Sequence, residues 1–153
     1  PCLIKIKWGI WYILITDKTD KINKIIMKKI DNVLIKVFHC FNFILITFYL
    51  YPGSILGYIL YKNSTIQPQI TRDFFISSNH FYLFIFFSVI GILAYQNTKR
   101  IKFLINYLFL LSIFLEFFHI FIPNRSFELR DLFGNLIGVV LIVVIYQFKK
   151  KYE

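Results

Sequence analysis

The sequence predicts an all-helical, polytopic membrane protein built as a bundle of four transmembrane helices. Of its 153 residues, 58% are hydrophobic and only 17% are charged, and the mean hydropathy is +0.63. An average soluble domain is about 45–50% apolar and about 25% charged. Hydropathy also rises in four separate runs, each close to the roughly 20 residues that a membrane-spanning helix requires. Backbone groups in lipid must pair within the protein, so continuous apolar runs predict helices, and the alternation typical of a β-barrel is absent.

The composition excludes three other classes of protein. The formal net charge of +10 is common in nucleic-acid-binding domains, but those domains keep a polar surface. No nucleic-acid partner is therefore predicted. The 19 Phe and 10 Tyr residues argue against a disordered chain, and two cysteines are too few for a disulfide scaffold. The lipid bilayer is the partner that this composition indicates.

Residues 1–26 are interpreted as an N-terminal extension outside the membrane domain. The uncharged run of residues 8–16 is too short to cross a bilayer, and no small-residue cleavage site follows it. The polar stretch of residues 17–31 separates it from the apolar runs downstream. Met27 is the only methionine and two lysines follow it, a pattern typical of a bacterial start. Residues 1–26 are thus either poorly ordered upstream sequence read in frame or part of a longer chain.

The four apolar runs cover approximately residues 33–51, 77–96, 103–122 and 132–148. The first run stops at Pro52 and Gly53, which favour turns over helix. The connection after it, up to residue 78, is interpreted as a partly ordered surface segment. The third run carries one acidic residue, Glu116, close to its end. Residues 27–153 therefore form the predicted four-helix domain.

The basic residues predict the orientation in the membrane. Four crossings place nine of them on one side: Lys28, Lys29, Lys36, Lys99, Arg100, Lys102, Lys149, Lys150 and Lys151. The connections on the other side hold only four: Lys62, Arg72, Arg125 and Arg130. Lys and Arg are enriched in cytoplasmic loops. The chain is therefore predicted to be a multi-pass protein of the bacterial cytoplasmic (inner) membrane with both termini in the cytoplasm.

A cluster of polar side chains is predicted at the outer end of the last two helices. Residues three or four apart share a helix face, and the short hairpin between these helices brings two such faces together. A carboxylate within a span costs at least about 2–3 kcal/mol and needs a partner. Arg125 is the expected partner of Glu116, because its planar fork matches a carboxylate, and Asp131 is expected to cap the fourth helix. The predicted polar site consists of Glu116, His119, Arg125, Asp131 and Asn135.

Gly134 and Gly138 form a GxxxG pair, which allows a second helix to approach closely. They are predicted to be helix-packing residues. A homo-oligomer formed through this face is one of the alternatives that the sequence leaves undecided. Two interpretations of the polar cluster also stay open. It is either an interhelical clamp that fixes the hairpin, or a ligand-binding or catalytic site built from the same groups.

No cofactor and no metal site are predicted. The histidines lie in three different runs, and none has metal-ligand spacing to a cysteine or another histidine. Only His80 and His119 are expected near the extracytoplasmic ends of their helices. A zinc site there would require Glu116 as its third ligand. Phosphate-binding glycine loops and the motifs of serine hydrolases and zinc proteases are absent.

The spacing of the outer cluster resembles that of a known family. Glu116-x-x-His119, then Pro123 and Arg125, is followed by a D-x-x-x-N-x-x-G pattern from Asp131 to Gly138. This string is similar to the signature of the VanZ-like family of small bacterial membrane proteins, and the similarity covers residues 34–148. The resemblance implies a four-helix envelope protein linked to glycopeptide (teicoplanin) resistance, with a cell-envelope component as partner. The alternative is a membrane-embedded enzyme acting on a lipid-linked or glycan envelope substrate.

The chain departs from that family at two places. Members commonly begin the second helix with D-K-x-x-H, where this chain has Asn79, His80 and, at the last position, Leu83. His119 stands where glutamine is usual. The acid and the second histidine of the family pattern are thus missing here, and Asn79 and His80 are the candidates to replace them by hydrogen bonding.

Overall fold

The computed structural model describes the backbone of residues 2–73 and 75–152, with their side chains from residue 19 onward. Five α-helices and one short 3-10 turn account for most of this part of the chain: α1 (Cys2–Leu50), α2 (Ile55–Tyr61), α3 (Ser78–Tyr95), α4 (Ile101–Phe118) with the 3-10 turn His119–Phe121, and α5 (Leu129–Tyr152). No strand occurs in these residues, and the all-α prediction is confirmed.

Four of the helices are long and apolar enough to cross a membrane: Thr19–Leu50, Ser78–Tyr95, Ile101–Phe121 and Leu129–Tyr152. Large apolar side chains face outward from them, and Phe43 and Phe103 are 73% and 75% exposed. A soluble surface carries few such contiguous apolar groups, whereas lipid solvates them. The protein is a multi-pass membrane protein, as the hydropathy predicted.

Helix α1 begins far upstream of the predicted start near residue 33. Between residues 10 and 50 the sequence contains no glycine and no proline, so nothing stops the helix within the polar stretch. The 32 residues of Thr19–Leu50 are about 48 Å long at about 1.5 Å per residue, more than the roughly 30 Å of hydrocarbon. The upstream part therefore continues beyond the lipid. The interpretation of residues 1–26 stays a prediction, since the side chains of residues 1–18 lie outside the described part.

Helix α3 is the centre of the bundle and contacts α1, α4 and α5, most extensively α5. Phe38 of α1 stacks on Phe87 of α3 at 5.0 Å between ring centroids. The fully buried apolar side chains come from all four long helices: Phe38, Leu45, Phe84, Phe87, Leu108 and Val139. Three of the phenylalanines, Phe38, Phe84 and Phe87, thus form an aromatic centre of the core.

Glycines on α5 permit the close approach of α3. A Cβ atom on Gly138 would lie 2.8 Å from the carbonyl oxygen of Phe81, and one on Gly134 would lie 2.8 Å from that of Ser77. These distances are too short for any larger residue without a backbone shift. The Gly134/Gly138 face is therefore occupied inside the same chain, and an oligomer through that face would require α3 to move away.

The connection between α1 and α3 is more ordered than expected. Ser54 caps α2 by accepting a hydrogen bond of 2.9 Å from the amide of Gly57. Asn79 holds the following segment with its side chain, which accepts from the amide of Ile70 at 2.8 Å and donates to the carbonyl of Pro68 at 2.6 Å. The segment remains a surface connection, but its path is fixed over the start of α3.

The two ends of the bundle differ in charge. The end of α1, the start of α3, the end of α4 and the start of α5 meet at one end, called here the site end. The α3–α4 connection and the end of α5 lie at the other, the basic end, where Asn97 Nδ2 is 3.4 Å from Asp31 Oδ1 of α1. The basic end carries Lys99, Arg100 and Lys102 together with Lys149, Lys150 and Lys151.

Candidate functional site

Polar side chains from all four long helices meet at the site end. This group, called the polar cluster below, consists of Tyr49 from α1, His80 from α3, Glu116 and His119 from the end of α4, and Asp131 and Asn135 from α5. Glu116 and Asn135 are 0% exposed and His119 is 2% exposed. The aromatic core underneath closes the cluster toward the middle of the membrane.

The Glu116 carboxylate is held through only one of its two oxygens. Oε1 accepts a hydrogen bond of 3.1 Å from the backbone amide of Glu128 and lies 3.3 Å from Nδ1 of His119. Oε2 is fully buried and has no hydrogen-bond partner. Its closest charged neighbour is Nδ1 of His80, at 3.9 Å. A buried carboxylate oxygen without a donor is costly, so this atom marks the least satisfied point of the cluster.

His80 joins α3 to α5 and α1 through both ring nitrogens. Nε2 lies 3.2 Å from Oδ2 of Asp131. Nδ1 lies 2.9 Å from the Tyr49 hydroxyl and 3.1 Å from Oδ1 of Asn135. The ring is also edge-on to the Tyr49 ring, with 5.3 Å between centroids. His80 is therefore the central residue of the polar cluster.

Hydrogen bonds link Asn135, Tyr49 and His80 in the centre of the cluster. Asn135 donates from Nδ2 to the carbonyl of Ser112 at 3.3 Å, so its Oδ1 faces Tyr49 and His80. The Tyr49 hydroxyl donates to that Oδ1 at 2.9 Å. Both ring nitrogens of His80 therefore have polar neighbours, and the ring lies between the carboxylates of Asp131 and Glu116.

Arg125 does not pair with Glu116, contrary to the sequence prediction. Its Nη2 donates to the backbone carbonyl of Gly53 at 2.6 Å, after the end of α1, and its Nε is buried without a partner. The hairpin turns through Asn124, whose φ of 61° is left-handed, and this carries the Arg125 side chain toward Gly53. Burial lowers the pKa of Arg125 from its usual value, while nearby Tyr49, Asp131 and Glu116 oppose that shift. Arginine remains charged in proteins under these conditions.

Asp131 also differs from its predicted role. Helix α5 begins at Leu129, three residues earlier than a cap at Asp131 would require, and Asp131 lies within the first turn. A carboxylate there still interacts favourably with the positive end of the helix dipole. Its side chain reaches across to His80 instead of capping its own helix.

A cavity of about 130 Å³ opens beside the polar cluster. Its wall includes Tyr49, His80, His119 and Arg125, with Leu83 and Asn79 on the α3 side. Sites for drug-sized ligands are about 300–1,000 Å³. This cavity therefore has room for a small polar group, such as the head group of a larger amphiphile, but not for a whole drug-sized molecule.

The structure brings four of the five predicted site residues into one cluster: Glu116, His119, Asp131 and Asn135. Arg125 lies at the cavity wall nearby. Sequence reasoning did not include Tyr49 or His80 in the site. His80 was identified as an outer histidine that could replace the missing family groups by hydrogen bonding. Tyr49 is one of 10 tyrosines in an aromatic-rich chain, where nothing distinguishes it.

The departures from the D-K-x-x-H pattern have separate structural roles. His80 occupies the centre of the polar cluster, whereas Asn79 points to the loop and holds Pro68 and Ile70. Leu83 is half-buried at the cavity wall. His80 thus places an imidazole between the two carboxylates from the position where the pattern has lysine.

Comparison with protein-family models, with curated proteins and with solved structures finds no match to this chain. The function is therefore inferred from the geometry of the polar cluster and the cavity beside it.

Proposed function

We propose that this protein is a VanZ-like protein of the bacterial cytoplasmic membrane that binds the polar head of a cell-envelope component and thereby contributes to teicoplanin resistance. The observation that carries the proposal is the cavity at the site end, where His80, His119 and Arg125 contribute to a single wall. Arginine in a partly desolvated site favours carboxylate or phosphate groups, which its planar fork matches. The spacing from Glu116 to Gly138 supports the family assignment.

The proposal requires the cavity to face outward, with both termini in the cytoplasm. The clustering of lysines at the opposite, basic end supports this orientation. It predicts that, with both native cysteines replaced by serine, a cysteine at Thr71 reacts with a membrane-impermeant maleimide in intact cells. A cysteine at Tyr152 should react only after the cells are permeabilised. Both positions are exposed and neither change alters the charge. The opposite labelling pattern would place the cavity in the cytoplasm and reject the proposal.

Teicoplanin susceptibility tests the function itself. Expression of the full chain in a sensitive host is expected to raise the minimum inhibitory concentration of teicoplanin. Arg125→Gln should return it to the empty-vector value, since a hydrogen bond to a charged group is worth about 1.5–3 kcal/mol of head-group binding. The matched control is Arg130→Gln on the same hairpin, where the side chain is exposed and should not contribute.

Two results would contradict this function. No change in susceptibility on expression of the wild-type chain, at membrane levels verified by immunoblot, excludes the link to resistance. An equal loss in Arg125→Gln and Arg130→Gln at equal protein levels excludes a specific role for the cavity.

A membrane-embedded enzyme acting on a lipid-linked or glycan substrate is the second candidate. This candidate is favoured by the position of buried Glu116 beside His80, because two such side chains could exchange a proton with a substrate. Glu116→Gln keeps the shape of the side chain and an oxygen to accept from Glu128, but it cannot transfer a proton. Loss of the teicoplanin phenotype with normal accumulation in the membrane supports the enzyme. Failure of this variant to accumulate supports the interhelical clamp.

A further inference from the structure

We propose that His80, Glu116 and Asp131 form a binding site for one divalent transition-metal cation of the Zn²⁺ or Mn²⁺ kind. These residues belong to α3, α4 and α5 and are brought together only by the fold. One ligand atom from each can be chosen so that all three atoms lie within 4.8 Å of one another. The site goes beyond the proposed function, since head-group binding through Arg125 does not require it.

The separations in the cluster suit a bound ion. His80 Nε2 and Asp131 Oδ2 are 3.2 Å apart, and His80 Nδ1 and Glu116 Oε2 are 3.9 Å apart. Ligand atoms bound at about 2.0–2.2 Å are at most about 4.4 Å from each other. The two separations involve different nitrogens of the His80 ring, and an ion binds only one of them. With one ligand atom from each residue the three atoms lie within 4.8 Å of one another, so a movement of about half an ångström brings them to bonding distance of one ion.

The unpartnered oxygen of Glu116 is an independent reason to expect a ligand. Oε2 is buried, makes no hydrogen bond and faces His80. The other oxygen is fixed by His119 and by the amide of Glu128. This arrangement resembles the outer-shell contacts that orient metal-binding carboxylates. It presents one oriented, unused lone-pair atom to the space between His80 and Asp131.

The charge and the donor types narrow the class of cation. Two carboxylates and one neutral imidazole cancel a 2+ charge, which is the least costly state within a bundle of low dielectric constant. Imidazole favours Zn²⁺ and related metals, whereas carboxylates also suit Mn²⁺. The three residues include no cysteine, whose thiolate would select a softer metal. Mg²⁺ and Ca²⁺ prefer sets made of oxygen alone.

An ion can reach this site from the surface. The side chain of His80 is 10% exposed and that of Asp131 is 16% exposed, and His80 also forms part of the cavity wall. A proton on the coordinating nitrogen of His80 leaves to solvent when the cation binds, and the other nitrogen keeps its proton, so the ring is a neutral imidazole. Arg125 then remains as an additional positive charge beside the cavity, which increases the attraction for an anionic group.

The test uses the full chain, purified without a histidine tag in lipid nanodiscs, stripped with a chelator and dialysed against Zn²⁺ or Mn²⁺. Mass spectrometry of the metal content should give one ion per chain, with a higher thermal midpoint than the stripped protein. Asp131→Asn should weaken binding at least about tenfold, since loss of even an outer-shell partner costs about 10–100-fold. Glu128→Gln is the matched control, an acid on the same hairpin outside the ligand set, and should bind like the wild type.

X-ray absorption of the Zn²⁺-loaded wild-type chain provides a readout that needs no variant. The expected shell contains only nitrogen and oxygen at about 2.0–2.2 Å. Absence of bound metal in the wild type, unchanged affinity in Asp131→Asn, or sulfur ligands from a cysteine would each overturn the site. Susceptibility of the host to teicoplanin is measured separately, so failure of metal binding and failure of the proposed function are distinguishable.

Discussion

Replacing His80 with leucine is expected to lower the free energy of unfolding of the metal-free protein by about 3–5 kcal/mol. Leucine removes the imidazole that lies between two buried or half-buried carboxylates, 3.2 Å from Asp131 and 3.9 Å from Glu116. It also removes the ring nitrogen that lies beside the Tyr49 hydroxyl and Asn135 Oδ1. The unfolding curve in detergent with increasing denaturant, and the amount of protein in membranes, measure the loss.

A second variant separates charge from packing in this experiment. Adding Glu116→Gln and Asp131→Asn to His80→Leu removes both negative charges with little change in volume. We expect this triple variant to regain at least half of the lost stability, because only neutral groups then remain buried. A loss below about 1 kcal/mol in His80→Leu, close to that of an ordinary neutral hydrogen bond, would contradict the role of His80 in stabilising the two carboxylates.

Replacing Gly138 with leucine is expected to prevent the native packing of α3 on α5. The Cβ atom alone would lie 2.8 Å from the carbonyl oxygen of Phe81 and 3.0 Å from the Cβ of Phe84. Overpacking typically costs about 1–3 kcal/mol, which we expect for Gly138→Ala, and leucine should exceed it because the obstacle is helix backbone. Protease sensitivity in isolated membranes and the thermal midpoint in nanodiscs report the effect.

The control for this variant lies on the same helix. Val140 is 44% exposed, so Val140→Leu places the same new side chain toward lipid and should change the midpoint little. Equal stability of Gly138→Leu and Val140→Leu would mean that α3 and α5 do not pack as described. Since the close contact joins the helices that carry His80 and Asp131, Gly138→Leu should also separate these two side chains.

The four spans could be predicted from sequence because each depends on local composition. A run of apolar residues without charge has only one stable form in lipid, and its length follows from the bilayer. Helix α1 extends upstream of the predicted span at residues 33–51 for a related reason. A polar sequence without glycine or proline continues a helix as readily outside the membrane, so the end of an apolar run does not end the helix.

The polar cluster was only partly predictable, because its contacts join residues distant in sequence. Glu116 and His119 share a helix face, and Asp131 and Asn135 share another, so helical spacing grouped each pair. The partner of Glu116 depends instead on how the hairpin turns and on which residue of α3 lies opposite. No local pattern marks Tyr49 among the other aromatic residues, and it joins the cluster only because α1 ends beside α3.

A cluster shared by all four long helices has a consequence for biosynthesis. Helix α5 follows the other three long helices in the chain, and until it inserts, His80 lacks the groups that Asn135 and Asp131 provide. An incomplete bundle would thus present unpaired ionisable groups to lipid, at a cost of at least about 2–3 kcal/mol each. We therefore expect a truncated or mis-inserted chain to be less stable than the complete bundle and more readily degraded by membrane proteases.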